Sequence, residues 1–178
     1  EPGRYVVGDP YRPVTELAQF SVAAPALAAA DLPEPDLSVD LFEMGFSLPD
    51  QIEGGPQLWQ VTNTGGILHE IAIFPVPTGA TPEQVQAAVT AELEAEFGGD
   101  PAQARAAIDA LGGEWVGFSS NLVAGVGVLS PQAATLAQVS LEPGTYGAVC
   151  FIPEPTSEMA HLMLGMTDVF EVTAPANS

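Results

Sequence analysis

Leu37-Ser38-Val39-Asp40-Leu41-Phe42 is the stretch that decides the fold. Leu37, Val39 and Leu41 alternate with Ser38, Asp40 and Phe42, the period of two that turns one side of a strand toward a core. Phe46-Ser47-Leu48-Pro49 breaks the pattern. Beyond it, Gln57 to Asn63 reads as a second strand, Asn63-Thr64-Gly65-Gly66 as a turn, and His69 to Phe74 as a third strand stopped by Pro75 and Pro77. Trp115 to Phe118, Ala134 to Leu141, Thr145 to Ile152 and Asp168 to Thr173 read as the remaining strands, with Glu142-Pro143-Gly144-Thr145 as a turn between two of them. About seven or eight short strands without an internal repeat point to an all-β sandwich.

One segment departs from that pattern. Thr81-Pro82-Glu83-Gln84 is a capping box with Pro at the first helical position, and Val85, Val89, Leu93 and Phe97 follow at steps of four. Asp100-Pro101-Ala102-Gln103 repeats the start signal, and Gly98-Gly99 and Gly112-Gly113 supply two stops. These signals predict helices over 82–97 and 101–111, an insertion at about 81–112 that is self-contained and outside any site. Glu92, Glu94 and Glu96 are expected on its solvent face.

On the other side of Leu37 the sequence is uneven. Arg4 to Val7 reads as a short strand and Thr15 to Ala24 as another strand or part of a helix. Ala23 to Ala30 with Pro33-Glu34-Pro35 reads as a linker. The expected organisation is an N-terminal extension over 1–36 and one main domain over 37–178.

The chain has 178 residues, 47% of them hydrophobic, enough for one domain with a substantial core and short for two. Its 17 Pro and 18 Gly favour many turns. The net charge of −20 arises from 23 acidic residues against three basic ones, Arg4, Arg12 and Arg105. Such a chain repels phosphate, which argues against nucleic acid and anionic membrane surfaces and favours a basic partner or metal cations. No apolar run is long enough to span a membrane. There is no Gly-rich phosphate loop, no G-x-S-x-G and no recognisable triad, so no enzymatic activity is expected.

Soft metal ligands are scarce, and that makes their positions informative. Cys150 is the only cysteine, His69 and His161 are the only histidines, and three of the four Met fall between Met159 and Met166. Thiolate, imidazole and thioether together select copper, and two His with one Cys and a weak axial Met is the blue-copper arrangement. Taken singly, each of these residues has a plain structural reading as a buried hydrophobe or a hydrogen-bonded histidine.

Two stretches carry a resemblance. Trp59-Gln60-Val61-Thr62-Asn63-Thr64-Gly65-Gly66-Ile67-Leu68-His69 and Pro143-Gly144-Thr145-Tyr146-Gly147-Ala148-Val149-Cys150 resemble the strand–turn–His and Pro-Gly-x-Tyr…Cys segments of the cupredoxins, the plastocyanin-like and azurin-like copper proteins. His161, with Gly165-Met166 after it and Val169-Phe170-Glu171-Val172 as a closing strand, resembles the ending of that family. The resemblance covers about Leu37 to Thr173, less the insertion. It implies a Greek-key β-sandwich that holds one copper ion per chain. His69 and His161 would be the imidazole ligands, His69 deep in the sandwich and His161 near the surface. Cys150 would be the thiolate and Met166 the axial ligand. It implies an electron carrier that meets a redox partner protein, outside the cytoplasm or in a periplasm, with membrane attachment through a removed N-terminal segment left open. The apolar run Leu162-Met163-Leu164 would form the surface through which electrons pass.

This sequence departs from the family in two places. Ten residues separate Cys150 from His161, where the family usually has a much shorter loop. Glu70 follows His69, where the family commonly has Asn or Ser. Both leave the geometry of the centre open. A copper chaperone or sensor binding Cu(I), and a metal-free binding module on the same fold, are the alternatives.

Overall fold

Ile71-Ala72-Ile73-Phe74 is apolar without interruption, as expected of a strand covered on both sides. That is its position in the structure, a computed structural model in which residues 2–7, 18–23, 32–112, 115, 117, 118 and 120–175 are described. The chain divides into two compact units, Glu1–Pro33 and Glu34–Ser178.

In the first unit, β1 (Gly3–Val7) and β2 (Ala18–Val22) pair antiparallel, with Tyr5 opposite Phe20 and their rings stacked at 5.4 Å. Residues 24–30 of the expected linker, and the parts of Thr15–Ala24 on either side of β2 and Ala23, lie outside the described residues.

The described residues of the second unit form nine strands, β3 (Leu37–Phe42), β4 (Gly45–Phe46), β5 (Gln51–Glu53), β6 (Gly55–Asn63), β7 (His69–Pro75), β8 (Ala124–Leu129), β9 (Ala134–Leu141), β10 (Gly144–Val149) and β11 (Thr167–Thr173). They form one sheet of order β4-β3-β6-β9 and another of order β5-β11-β10-β7-β8. The pairings are mixed. β3 runs parallel to β6 and β5 parallel to β11, while the remaining neighbours are antiparallel. The chain passes between the sheets at β4–β5, β5–β6, β6–β7, β8–β9 and β9–β10, so only β3–β4, β7–β8 and β10–β11 are neighbours both in a sheet and in sequence.

One core fills the space between the sheets. Val39 and Leu41 of β3, Trp59 and Val61 of β6 and Val139 and Leu141 of β9 meet Ile71 and Ile73 of β7, Tyr146 and Ala148 of β10 and Phe170 and Val172 of β11. The alternate residues of the second sheet face a second core. Ala72 and Phe74, with Val149, pack beneath α1 (Pro82–Glu96) and α2 (Pro101–Leu111) against Val85, Ala88, Val89 and Leu111. The expected all-β sandwich with a two-helix insertion is therefore present, and the insertion forms a third layer on the outer face of one sheet.

The capping residues act as their types require. Thr81 Oγ1 accepts from the Gln84 amide and Gln84 Oε1 from the Thr81 amide, while Asp100 Oδ1 accepts from the Ala102 amide. The apolar stripe of α1 does not stay inside. Val85 and Val89 are buried and Leu93 half-buried, but Phe97, which caps the helix after Glu96, is 87% exposed. Glu94 and Glu96 are exposed as expected, whereas Glu92 is half-buried and accepts from the Phe118 amide at 3.1 Å.

Several expected bounds change. Among the described residues of Trp115–Phe118 there is no strand, and Trp115 instead donates from its indole to the Pro75 carbonyl at 3.1 Å. The strand expected over Thr145–Ile152 ends at Val149. β5 and β8 were not expected; β5 is three residues long, and β8 reads Ala-Gly-Val-Gly-Val-Leu, which lacks the large residues that mark strands.

Candidate metal centre

Register brings three of the four expected ligands to one end of the second sheet. His69 begins β7, Cys150 follows the last residue of β10, and Met166 precedes β11; Val149 pairs with both Ala72 and Thr167, so these three strand ends coincide. His161 lies outside the sheet, in a single 3-10 turn over His161–Leu164.

The ten-residue loop that distinguishes this sequence folds back on itself. Pro153 bridges to Ala160, the His161 amide donates to the Ile152 carbonyl at 2.9 Å, and the Leu162 amide donates to the Cys150 carbonyl at 2.9 Å. These bonds set the two ends of the loop side by side and bring His161 back to Cys150. Glu154 holds the tip, its carboxylate accepting from the Thr156 amide and hydroxyl at 2.9 and 2.6 Å and the Ser157 amide at 2.7 Å. These bonds hold its pKa at about 2. The Met166 amide then donates to the His161 carbonyl at 2.9 Å, and the Cys150 amide to the Met166 carbonyl at 3.3 Å.

A donor atom from each of His69, Cys150 and His161 lies within 4.8 Å of the other two. Cys150 Sγ and His161 Nδ1 are 3.4 Å apart, and the two imidazole rings are 4.9 Å apart at 53°. His69, Cys150, His161 and Met166 are all 0% exposed. The expectation that His161 lies near the surface is thus corrected, because the 3-10 turn tucks it beneath the loop. Leu162 is corrected with it. It is 0% exposed in the second core, Met163 is half-buried and Leu164 is 37% exposed, so the three form no continuous surface patch. The turn also ties the site to the insertion, since Gln86 of α1 donates from Nε2 to the Met163 carbonyl at 3.1 Å. The insertion offers no ligand, but it is not independent of the site.

Polar atoms at the centre are left without protein partners. His69 Nδ1 and Nε2 and His161 Nε2 are buried and make no hydrogen bond. Each such atom costs about 1–3 kcal/mol in desolvation. Burial lowers the pKa of both histidines, so they are held neutral with a lone pair available. Burial pushes the Cys150 thiol up, opposed by the Glu70 and Ile152 amides.

Two carboxylates border the site. Glu70, the departure next to His69, acts in two senses, its carboxylate disfavouring the Cys150 thiolate and its amide favouring it. Its amide donates to Cys150 Sγ at 3.4 Å, while its Oε1 accepts from the Phe151 amide at 3.2 Å. One residue thus links β7 to both sides of the Cys150–Phe151 junction. Glu43 was not anticipated. It sits in the two-residue turn between β3 and β4, and its Oε1 accepts from the Gly66 amide. That bond lowers its pKa, and His69 and His161 add to the effect. A Cβ on Gly65 would stand 2.9 Å from Glu43 Oε1 and 3.0 Å from His69 Nε2, so a larger residue there would displace the Glu43 carboxylate and crowd the imidazole. No spacing in the sequence relates Glu43 to His69, because the pairing of β3 with β6 is what brings them together.

No protein-family model and no curated protein matches the chain. Solved structures to which it is similar include three auracyanins. The sodium dithionite-reduced auracyanin from the photosynthetic bacterium Roseiflexus castenholzii matches with a TM-score of 0.47 at 20% identity, over 77% of this chain and 95% of that one. Auracyanin B matches with a TM-score of 0.41 at 16% identity, over 80% and 93%. Auracyanin A, a "blue" copper protein from the green thermophilic photosynthetic bacterium Chloroflexus aurantiacus, matches with a TM-score of 0.39 at 16% identity, over 77% and 98%. The architecture is a sandwich of two mixed sheets, as expected from the sequence, with two imidazoles and a thiol gathered in one buried cluster.

Proposed function

We propose that the protein is a mononuclear copper protein that carries single electrons between partner proteins. The observation that carries this reading is the buried cluster of His69, Cys150 and His161, with three imidazole nitrogens that no protein group satisfies. Two donors bound to one ion at about 2.0–2.3 Å are at most about 4.6 Å apart, close to the observed spread. The soft thiol and paired imidazoles favour copper over hard cations. His69, Cys150 and His161, together with Met166, would hold the ion, and the bound metal would supply a one-electron Cu(II)/Cu(I) couple.

The residues of the chain have separate tasks. Cys150 gives up its proton on binding; its raised pKa opposes that step, so binding should strengthen as pH rises. The Glu70 amide, directed at Sγ, disperses the thiolate charge, and the Glu70 carboxylate fixes the Phe151 amide and with it the direction of Cys150. The two cores exclude water and hold the ligands rigidly, so little would rearrange when charge changes. Complete burial of His69, Cys150 and His161 also favours a carrier over a chaperone, since handing an ion to an acceptor needs ligands that the acceptor can reach. The location that accompanies this reading is extracellular or periplasmic, and rests on the resemblance; no described helix is long and apolar enough to cross a membrane.

Titration with Cu(II) is the test. One equivalent should produce an intense thiolate-to-copper absorption band in the visible, and Cys150→Ser should abolish it. Stoichiometric copper whose spectrum survives Cys150→Ser would place the ion elsewhere and overturn the assignment.

A further inference from the structure

The apolar stripe of α1 ends at a groove. Leu93 and Phe97 form one wall of a cavity of about 780 Å³, and Phe151, Pro153, Ala160 and Met163 form the other. The second wall is the ligand loop itself. Phe151 follows Cys150 in the chain and Ala160 precedes His161, so the groove lies one residue away from two of the three clustered donors. Phe97 in its wall is 87% exposed, and Met159, which precedes Ala160 in the chain, is 43% exposed. An apolar surface of this kind, ringed by polar groups, is the usual form of an interaction site.

The ring is acidic. Among the described residues, Glu94, Asp100 and Glu158 line the groove, and neither Lys nor Arg does. Asp100 is engaged in capping α2, and the Arg105 guanidinium on the same helix is paired with Asp109 at 3.0 Å. The surrounding chain reinforces the sign, at net −20 with no lysine. We propose that this groove is the docking surface for a basic partner protein that presents an apolar side chain flanked by Lys or Arg. The carboxylates would steer and orient the encounter, and seating the apolar residue against Phe97 and Phe151 would bring the partner to the backbone of both ligand-bearing segments. The inference rests on the electron-carrier reading for its purpose and on the groove's geometry and charge for its location.

The experiment uses the full chain, ¹⁵N-labelled, titrated with a lysine-rich c-type cytochrome as the probe. Amide shifts should concentrate at Leu93, Phe97, Phe151 and Met163, and binding should weaken steeply as salt rises. Glu94→Lys with Glu158→Lys, and separately Phe97→Asp, should each weaken binding at least tenfold. All three positions are exposed, so melting temperature and copper uptake should stay at wild-type values, which a merely structural role would not allow. Shifts centred elsewhere, variants that bind as wild type does, or no binding at low salt would each overturn the proposal. If the chain docks the cytochrome on the groove yet takes up no copper, the docking surface stands and the electron-carrier reading falls. If it takes up copper but does not dock, the copper site stands and the docking surface falls.

Discussion

Asn63 shows how much of the centre is built by residues that touch no metal. It is 0% exposed at the end of β6, and its amide group meets three backbone partners. Nδ2 donates to the carbonyls of Ile67 and Leu129 at 2.8 and 2.9 Å, and Oδ1 accepts from the Gly65 amide at 3.0 Å. These bonds shape the turn that delivers Gly65 between Glu43 and His69. Asn63→Ala removes all three and strands their partners, which should cost about 2–4 kcal/mol. Urea unfolding of the copper-free protein measures it, and a loss below about 0.5 kcal/mol would show that water replaces the side chain. Asn63, Gly65, His69, Cys150 and His161 were all conspicuous in the sequence, because rare or turn-forming residue types announce themselves. Glu43 was not, since it is one of 23 acidic residues and only strand pairing distinguishes it. The burial of His161 was equally illegible, because its cover is the fold of a loop whose length alone could be read.

At the scale of elements, strands with period two and helices with paired stop and start signals were legible, and the helix bounds of α1 and α2 follow their caps closely. β8 and the 3-10 turn were not, since the first is built of small residues and the second is held by tertiary bonds to Cys150 and Ile152. The Cys150–His161 loop belongs to the same class. Its shape depends on Glu154, whose three contacts to Thr156 and Ser157 need an ionised carboxylate. Because its pKa in the fold is lowered from 4.5 to about 2, the unfolded chain takes up this proton first as pH falls. The contribution of Glu154 to the fold is therefore complete above about pH 4.5 and is lost as pH falls through about 2. Carbon NMR of the Glu154 carboxylate should titrate near 2, with the Thr156 and Ser157 amides following the same curve. In Glu154→Ala those amides should show no such transition. A midpoint near 4.5 in the wild type would mean that the turn is not held by this carboxylate.

For the whole molecule, the two cores and the centre form one thermodynamic unit, and metal should be felt throughout. The copper-free protein buries two neutral imidazoles without partners for three of their nitrogens. Burial, the leading cause for both, lowers the pKa of His69 and His161, so below about 6.5 the unfolded chain binds protons that the folded one excludes. Stability of the copper-free protein should therefore fall as pH drops below about 6.5. A ligand that binds only the native state adds RT ln(1 + [L]/Kd), about 4 kcal/mol at a thousandfold excess over Kd. Copper should thus raise the melting temperature strongly near neutral pH. At lower pH protons compete for the same imidazoles and for the Cys150 thiolate, so apparent affinity falls and the increment shrinks. Calorimetry with and without one equivalent of copper, from pH 8 down to 4, gives both curves. The expected result is a gap between them that narrows toward acid, with the copper-free curve itself descending. A melting temperature unmoved by copper at every pH would show that the buried cluster is packing alone, since an ion held by three groups of the native core cannot fail to stabilise it.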